Sequence, residues 1–132
     1  MIALAVMVIT ITGVSSCSSA PTNERVGGIV EKHDKGETLS EGDYSVLIEY
    51  MGNRVKELIQ IEKQHDDGEL DWKEYQEKDT EVSEKYPYGY EVQEILSDNY
   101  DDLGKSNYDK IEKIENETGT EFNKGYGTFV TW

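Results

Sequence analysis

LSEGDYSVLIEYMGNRVKELIQIEKQ, residues 39–64, carries apolar side chains at Tyr44, Leu47, Ile48, Met51, Val55 and Leu58, separated by steps of three and four residues. That spacing puts them along one face of an α-helix. Ser40 can accept from the first free amides, Asp43 three residues on can reach back, and Leu39 can pack on Tyr44. The pattern predicts a helix from about 41 to 64, about 36 Å long at 1.5 Å per residue.

The same starting device recurs downstream. In LDWKEY, residues 70–75, Leu70 takes the place of Leu39, Asp71 of Ser40, Glu74 of Asp43 and Tyr75 of Tyr44. Two helices opened by one capping chemistry explain this more simply than a repeat. Trp72, Tyr75, Asp79, Val82 and Tyr86 then share a helical face that stops before Pro87. The short HDDGE connection makes the two helices antiparallel neighbours. A third helix is predicted from about 89 to 103, with Val92, Ile95, Leu96 and Leu103 inward and Gly104 as its stop. A fourth starts at Ser106, with Asp109 three later, presents Tyr108, Ile111 and Ile114, and ends near Thr118 and Gly119. The expected fold is all-α: a small three- or four-helix bundle, residues 39–118, built on an antiparallel helical hairpin. Residues 119–132 are aromatic and alternate poorly, so they are expected as an extended segment able to dock on the helices.

Upstream of the bundle the composition changes twice. Residues 18–37 are Ser, Thr, Gly, Asn, Pro and charge, with Val26, Ile29 and Val30 the only aliphatics larger than Ala20, and are expected as a flexible tether, with at most a short ordered turn at GGIVEKH. Before them, Ile2–Val14 is a largely apolar run of thirteen residues, shorter than the about twenty needed to span a bilayer. Its length suits the hydrophobic region of a signal peptide. The run leads into Val14-Ser15-Ser16-Cys17, which holds the single cysteine of the chain.

That tetrad resembles the lipobox of bacterial lipoproteins: an aliphatic residue, two small ones, then the cysteine. The resemblance covers about the first twenty residues. It implies that residues 1–16 are a signal peptide and that Cys17 is the lipid attachment site and the mature N-terminus. Two or three acyl chains on one residue anchor a protein stably where one does not. Such signal peptides begin with Lys or Arg, and here the first charged side chain is Glu24, so a start codon further upstream is expected. Ser18 stands where Gram-negative lipoproteins kept at the inner membrane commonly carry Asp, which implies an outer-membrane anchor facing the periplasm. The domain beyond the tether resembles only small uncharacterised helical lipoproteins.

Charge narrows the partners. Among 132 residues, 28 acids stand against 13 Lys and Arg, for a net charge of −15, all of it beyond Cys17. Such a surface repels phosphate backbones, so nucleic-acid binding is not expected, whereas a protein partner with a basic surface is. One cysteine makes neither an internal disulfide nor a zinc cluster.

Chemistry-bearing motifs are few. DDGELDWKEY, residues 66–75, resembles the second half of an EF-hand loop, with Asp67 and Glu74 as calcium ligands, but Lys63 and His65 stand where the first carboxylates belong. A helix-hairpin turn with a capping box is the stronger reading. KYPYGYE, residues 85–91, gathers Tyr86, Tyr88 and Tyr90 around Pro87 and Gly89; with Trp132 of the tail they form a candidate aromatic platform for glycan or peptide, or else plug the end of the bundle. His33 and His65 lie near no recognisable nucleophile motif, and no glycine-rich phosphate loop occurs. No enzyme activity and no cofactor are expected. The chain reads as a lipid-anchored envelope protein that binds or scaffolds another protein, with an immunity-type role as a sharper form and glycan or peptide binding as the alternative.

Overall fold

The computed structural model describes residues 21–131. Among them the chain forms α1 (Asn23–Asp34), α2 (Glu41–Asp66), α3 (Trp72–Lys85), α4 (Gly89–Asp98), a 3-10 turn (Tyr100–Asp102), α5 (Lys105–Thr118) and two short strands, β1 (Glu121–Asn123) and β2 (Thr128–Val130). The fold is a helical bundle with a terminal β-hairpin, in accord with the all-α expectation. The signal-peptide residues, Cys17 and Trp132 lie outside the described residues.

α2 is the axis on which α1, α3, α4, α5 and β2 all pack. Its start is the expected capping box: Ser40 Oγ accepts from the Asp43 amide at 3.0 Å, and the Asp43 carboxylate accepts from the Ser40 amide at 3.0 Å. Leu47, Ile48 and Met51 are fully enclosed, and Leu39 and Tyr44 are buried with them. Gly52 lets α5 approach closely, since a Cβ there would lie 2.7 Å from Ile114 Cδ1. Asn107, itself buried, fixes the same pair of helices: its amide donates to the Leu103 carbonyl at 2.7 Å and to the Glu41 carbonyl at 2.9 Å. The second capping box, Asp71 with Glu74, opens α3 as expected.

Three expectations need correction. Residues 23–34 of the supposed tether are α1, capped by Thr22 through the Arg25 amide, with Val26, Ile29 and Val30 buried against α2 and α4. Burial of one three-residue stripe outweighs the helix penalty of the Gly27–Gly28 pair, about 1 kcal/mol per glycine relative to Ala. α4 stops at Asp98, where the Asn99 side chain folds back onto the Ile95 carbonyl at 2.8 Å. Gly104, at φ +95°, therefore opens α5 and does not close α4, and α5 begins at Lys105, with no side-chain cap. Asp109 pairs with Lys105 at 3.1 Å in place of the capping role its spacing suggested.

The C-terminal segment is an antiparallel hairpin in which Phe122 pairs with Phe129. Phe129 is buried and meets Phe122 edge to face at 5.1 Å; Phe122 stacks on Tyr100 at 5.7 Å, and Tyr100 leans on Tyr108 at 5.4 Å. This row of rings seats the hairpin on the α4–α5 corner.

Candidate functional site

The KYPYGYE corner does not present three free tyrosines. Tyr86, at the C-terminal end of α3, meets Tyr50 edge to face at 5.1 Å, and its hydroxyl donates to Glu57 of α2. Lys85 closes the group, 2.9 Å from Glu57 Oε1. Burial, and then the Glu57 carboxylate, push the Tyr86 phenol well above its ordinary pKa. Tyr50 is enclosed; its hydroxyl donates to Asn23 of α1 at 3.1 Å and accepts from the Tyr88 amide at 3.1 Å. The Tyr88 hydroxyl lies over Gly27, where a Cβ would come within 2.7 Å of it. Tyr86 and Tyr88 therefore hold α1, α2 and the α3–α4 corner together.

Tyr90 alone of the three points outward, 75% exposed. Tyr126, at the hairpin tip and 68% exposed, joins it around a shallow cleft of about 180 Å³ that also takes in Gln93, Glu94, Ser97 and Asp98. Ser97 Oγ donates to the Gly125 carbonyl at 3.0 Å and holds that rim in place. The corner thus supplies one tyrosine to a platform whose other half comes from the tail.

Asp67 is the C-cap of α2, and Glu74 serves the α3 cap, its Oε1 accepting from the Asp71 amide at 3.1 Å. Among the described residues no group of three or more His, Cys, Asp and Glu is placed to hold a metal ion.

A different aromatic group lies at the free end of the α2–α3 hairpin. Trp72, expected on the inner face of α3, is 61% exposed. Its ring stacks on Tyr75 at 5.5 Å with 15° between planes, and His65 of α2 lies 5.6 Å from Trp72 and 5.0 Å from Tyr75. His65 Nδ1 is 3.0 Å from the Leu70 carbonyl, which can only accept, so that nitrogen carries the proton. Burial raises the Tyr75 phenol above its ordinary pKa, and the carboxylates of Asp79, Glu62 and Asp66 add to the rise. Sequence reasoning missed this group because Trp72 and Tyr75 share a face with Val82, which is buried. Their place at the start of α3, beyond the reach of the other helices, was the signal available.

The surface as a whole is under-neutralised. Among the described residues six lysines, Lys32, Lys35, Lys56, Lys85, Lys105 and Lys110, pair with carboxylates, and most of the 28 acids have no lysine or arginine within 4 Å. Among the described residues no helix is long and apolar enough to cross a membrane. Compared with protein-family models, curated proteins and solved structures, the chain matches none.

Proposed function

We propose that the chain is a lipid-anchored, non-enzymatic protein-binding module of the cell envelope whose acidic helical body takes a partner with a basic surface. The anchor reading rests on Val14-Ser15-Ser16-Cys17. The binding reading rests on one observation: carboxylates far outnumber cations on the helical surface, and among the described residues the few ion pairs leave most of them open. A field of one sign steers an oppositely charged partner and raises its association rate. Because α1 begins at Asn23, only five residues, 18–22, lie between Cys17 and the first helix, six residue steps in all. At 3.3–3.6 Å per residue this allows a standoff of about 20 Å at most, so the acidic face works close to the lipid surface.

Two measurements test the proposal. Cys17→Ala should move the protein out of the membrane fraction, and undiminished retention would refute the anchor. Partner capture from envelope extracts should weaken as ionic strength rises from about 0.05 to 0.5 M, because exposed charges separated by more than about 10 Å are screened at 0.1 M. Capture indifferent to salt would refute an acid-driven interface.

The Tyr90–Tyr126 cleft favours a second reading, glycan binding, since two exposed tyrosines flanking Gln93, Glu94, Ser97 and Asp98 combine apolar faces with hydroxyl-binding groups. Titration of envelope oligosaccharide should then perturb Tyr126, and Tyr126→Ala should abolish the response. A flat titration would refute it.

A further inference from the structure

The α2–α3 hairpin reaches beyond the core. Past Val55, Ile61 is the one buried residue of α2, and Val82 is the one buried residue of α3, whose packing is chiefly on α2. At the far end of this arm the exposed Trp72 ring stacks on the half-buried Tyr75, with His65 beside both. They stand outside the core cluster, and tryptophan and tyrosine are the side chains most enriched at the energetic centres of protein interfaces.

The charges around the rings say what kind of group fits. Glu62 and Asp66 lie one turn apart on α2, and Asp79 lies one turn beyond Tyr75 on α3; all three act on the Tyr75 hydroxyl. Among the described residues no lysine or arginine lies within 4 Å of any of these three carboxylates. Among the described residues no lysine or arginine covers these rings: the cation–π contacts there are Lys85 on Tyr86 and Lys124 on Tyr100. Over residues 61–80 eight carboxylates face three lysines. Aromatic faces and unpaired carboxylates at one place suit a cation that is itself partly apolar. A guanidinium fits better than an ammonium, because it is planar, stacks on rings and presents a fork of donors to carboxylates.

We infer that the tip of the α2–α3 hairpin is the docking site for an arginine-bearing segment of the partner protein, the guanidinium lying on the Trp72–Tyr75 stack and its charge met by Glu62, Asp66 and Asp79. This rests on the proposed role as an acidic protein-binding module and names the site and the partner's recognising chemistry.

The test uses the full chain in mild detergent carrying Trp132→Phe, so that Trp72 is the single tryptophan. The probes are nine-residue peptides alternating Gly with Arg, with Lys or with Gln. At low salt the Arg peptide should change Trp72 fluorescence saturably, the Lys peptide should bind more weakly and the Gln peptide should give no change. Followed by calorimetry, Trp72→Leu should weaken the Arg peptide by about 2- to 5-fold, the worth of an exposed cation–π contact. A triple variant, Glu62→Gln, Asp66→Asn, Asp79→Asn, should weaken it more than a remote triple, Glu24→Gln, Asp34→Asn, Glu112→Gln. The tip carboxylates lie on the exposed faces of their helices, so this variant keeps the inference testable even if Trp72→Leu loosens the arm. Equal losses from the two triples, with Trp72→Leu silent, would overturn the tip as the site and leave the acidic-module reading standing. No binding of either cationic peptide at low salt would overturn both. A Trp72 response to neutral maltohexaose without one to the Arg peptide would overturn the inference in favour of a sugar.

Discussion

Gly127→Ala tests whether the C-terminal hairpin is part of the fold. Gly127 and Gly119 have nearly the same backbone conformation, φ +69° and φ +71°. An L side chain in that region costs roughly 1–2 kcal/mol wherever it occurs. The surroundings separate the two positions. A Cβ at Gly119 meets nothing within 4 Å, whereas one at Gly127 would lie 1.9 Å from the Gln93 carbonyl oxygen and 2.9 Å from the Ser97 nitrogen. Both obstacles are backbone of α4, so no rotamer change relieves them and the hairpin must lift from the helix. Lifting it exposes Phe129, worth about 1.5–3 kcal/mol of apolar burial. It also breaks the bonds from Ser97 Oγ to the Gly125 carbonyl at 3.0 Å and from the Phe122 amide to Glu115 at 2.7 Å, each worth about 1 kcal/mol net. Gly127→Ala should therefore cost about 4.5–7 kcal/mol and Gly119→Ala about 1–2 kcal/mol. Urea unfolding followed by circular dichroism gives the two values, and amide exchange at Phe129 and Val130 shows whether the loss starts at the hairpin. Two variants that agree within about 0.5 kcal/mol would refute the reasoning, because a difference that small lies within ordinary surface substitutions.

Three further outcomes follow from the packing. Ser40→Ala should lower stability by about 1 kcal/mol in urea unfolding, through loss of the α2 cap; Asp71→Ala, which removes the same device from the peripheral α3, should instead speed amide exchange in α3 with little change of midpoint. Leu47→Ala, at a fully enclosed site, should cost about 2–5 kcal/mol, while Val82→Ala should act mainly on exchange within the arm. Partial burial raises the Asp43 carboxyl, but the Ser40 amide and the Lys32 ammonium at 3.0 Å outweigh it and hold the group below its ordinary pKa. Its folded pKa is thus lower than its unfolded one, about 3.9, so its contribution is complete above about pH 4 and disappears as pH falls through the folded value. The urea midpoint of the unmutated chain should drop more steeply below pH 4 than that of Asp43→Asn; parallel curves would refute the pairing.

The starts of α2 and α3 were legible because they are local chemistry. Ser40 with Asp43 and Asp71 with Glu74 each satisfy the free amides of their own first turn, whatever the rest of the chain does. α1 was not legible, because its three aliphatics and its Gly27–Gly28 pair look like a tether until Tyr88 is found against Gly27, sixty-one residues away in the sequence. The same limit explains the aromatic residues. Helical spacing says that Trp72, Tyr75 and Val82 share a face, but not how far the opposing helices extend along it. Val82 falls opposite the body of α2 and is buried; Trp72, the first residue of α3, falls where α2 is ending and no other helix reaches. Tyr86 and Tyr88 show the converse: their hydroxyls look available in the sequence, yet Tyr86 bonds Glu57 and Tyr88 lies over α1, both supplied by distant segments. Here the far end of the α2–α3 arm carries a stacked Trp72–Tyr75 pair with Glu62, Asp66 and Asp79 near it, and among the described residues no lysine or arginine lies within 4 Å of any of the three, so a second protein can supply the cation.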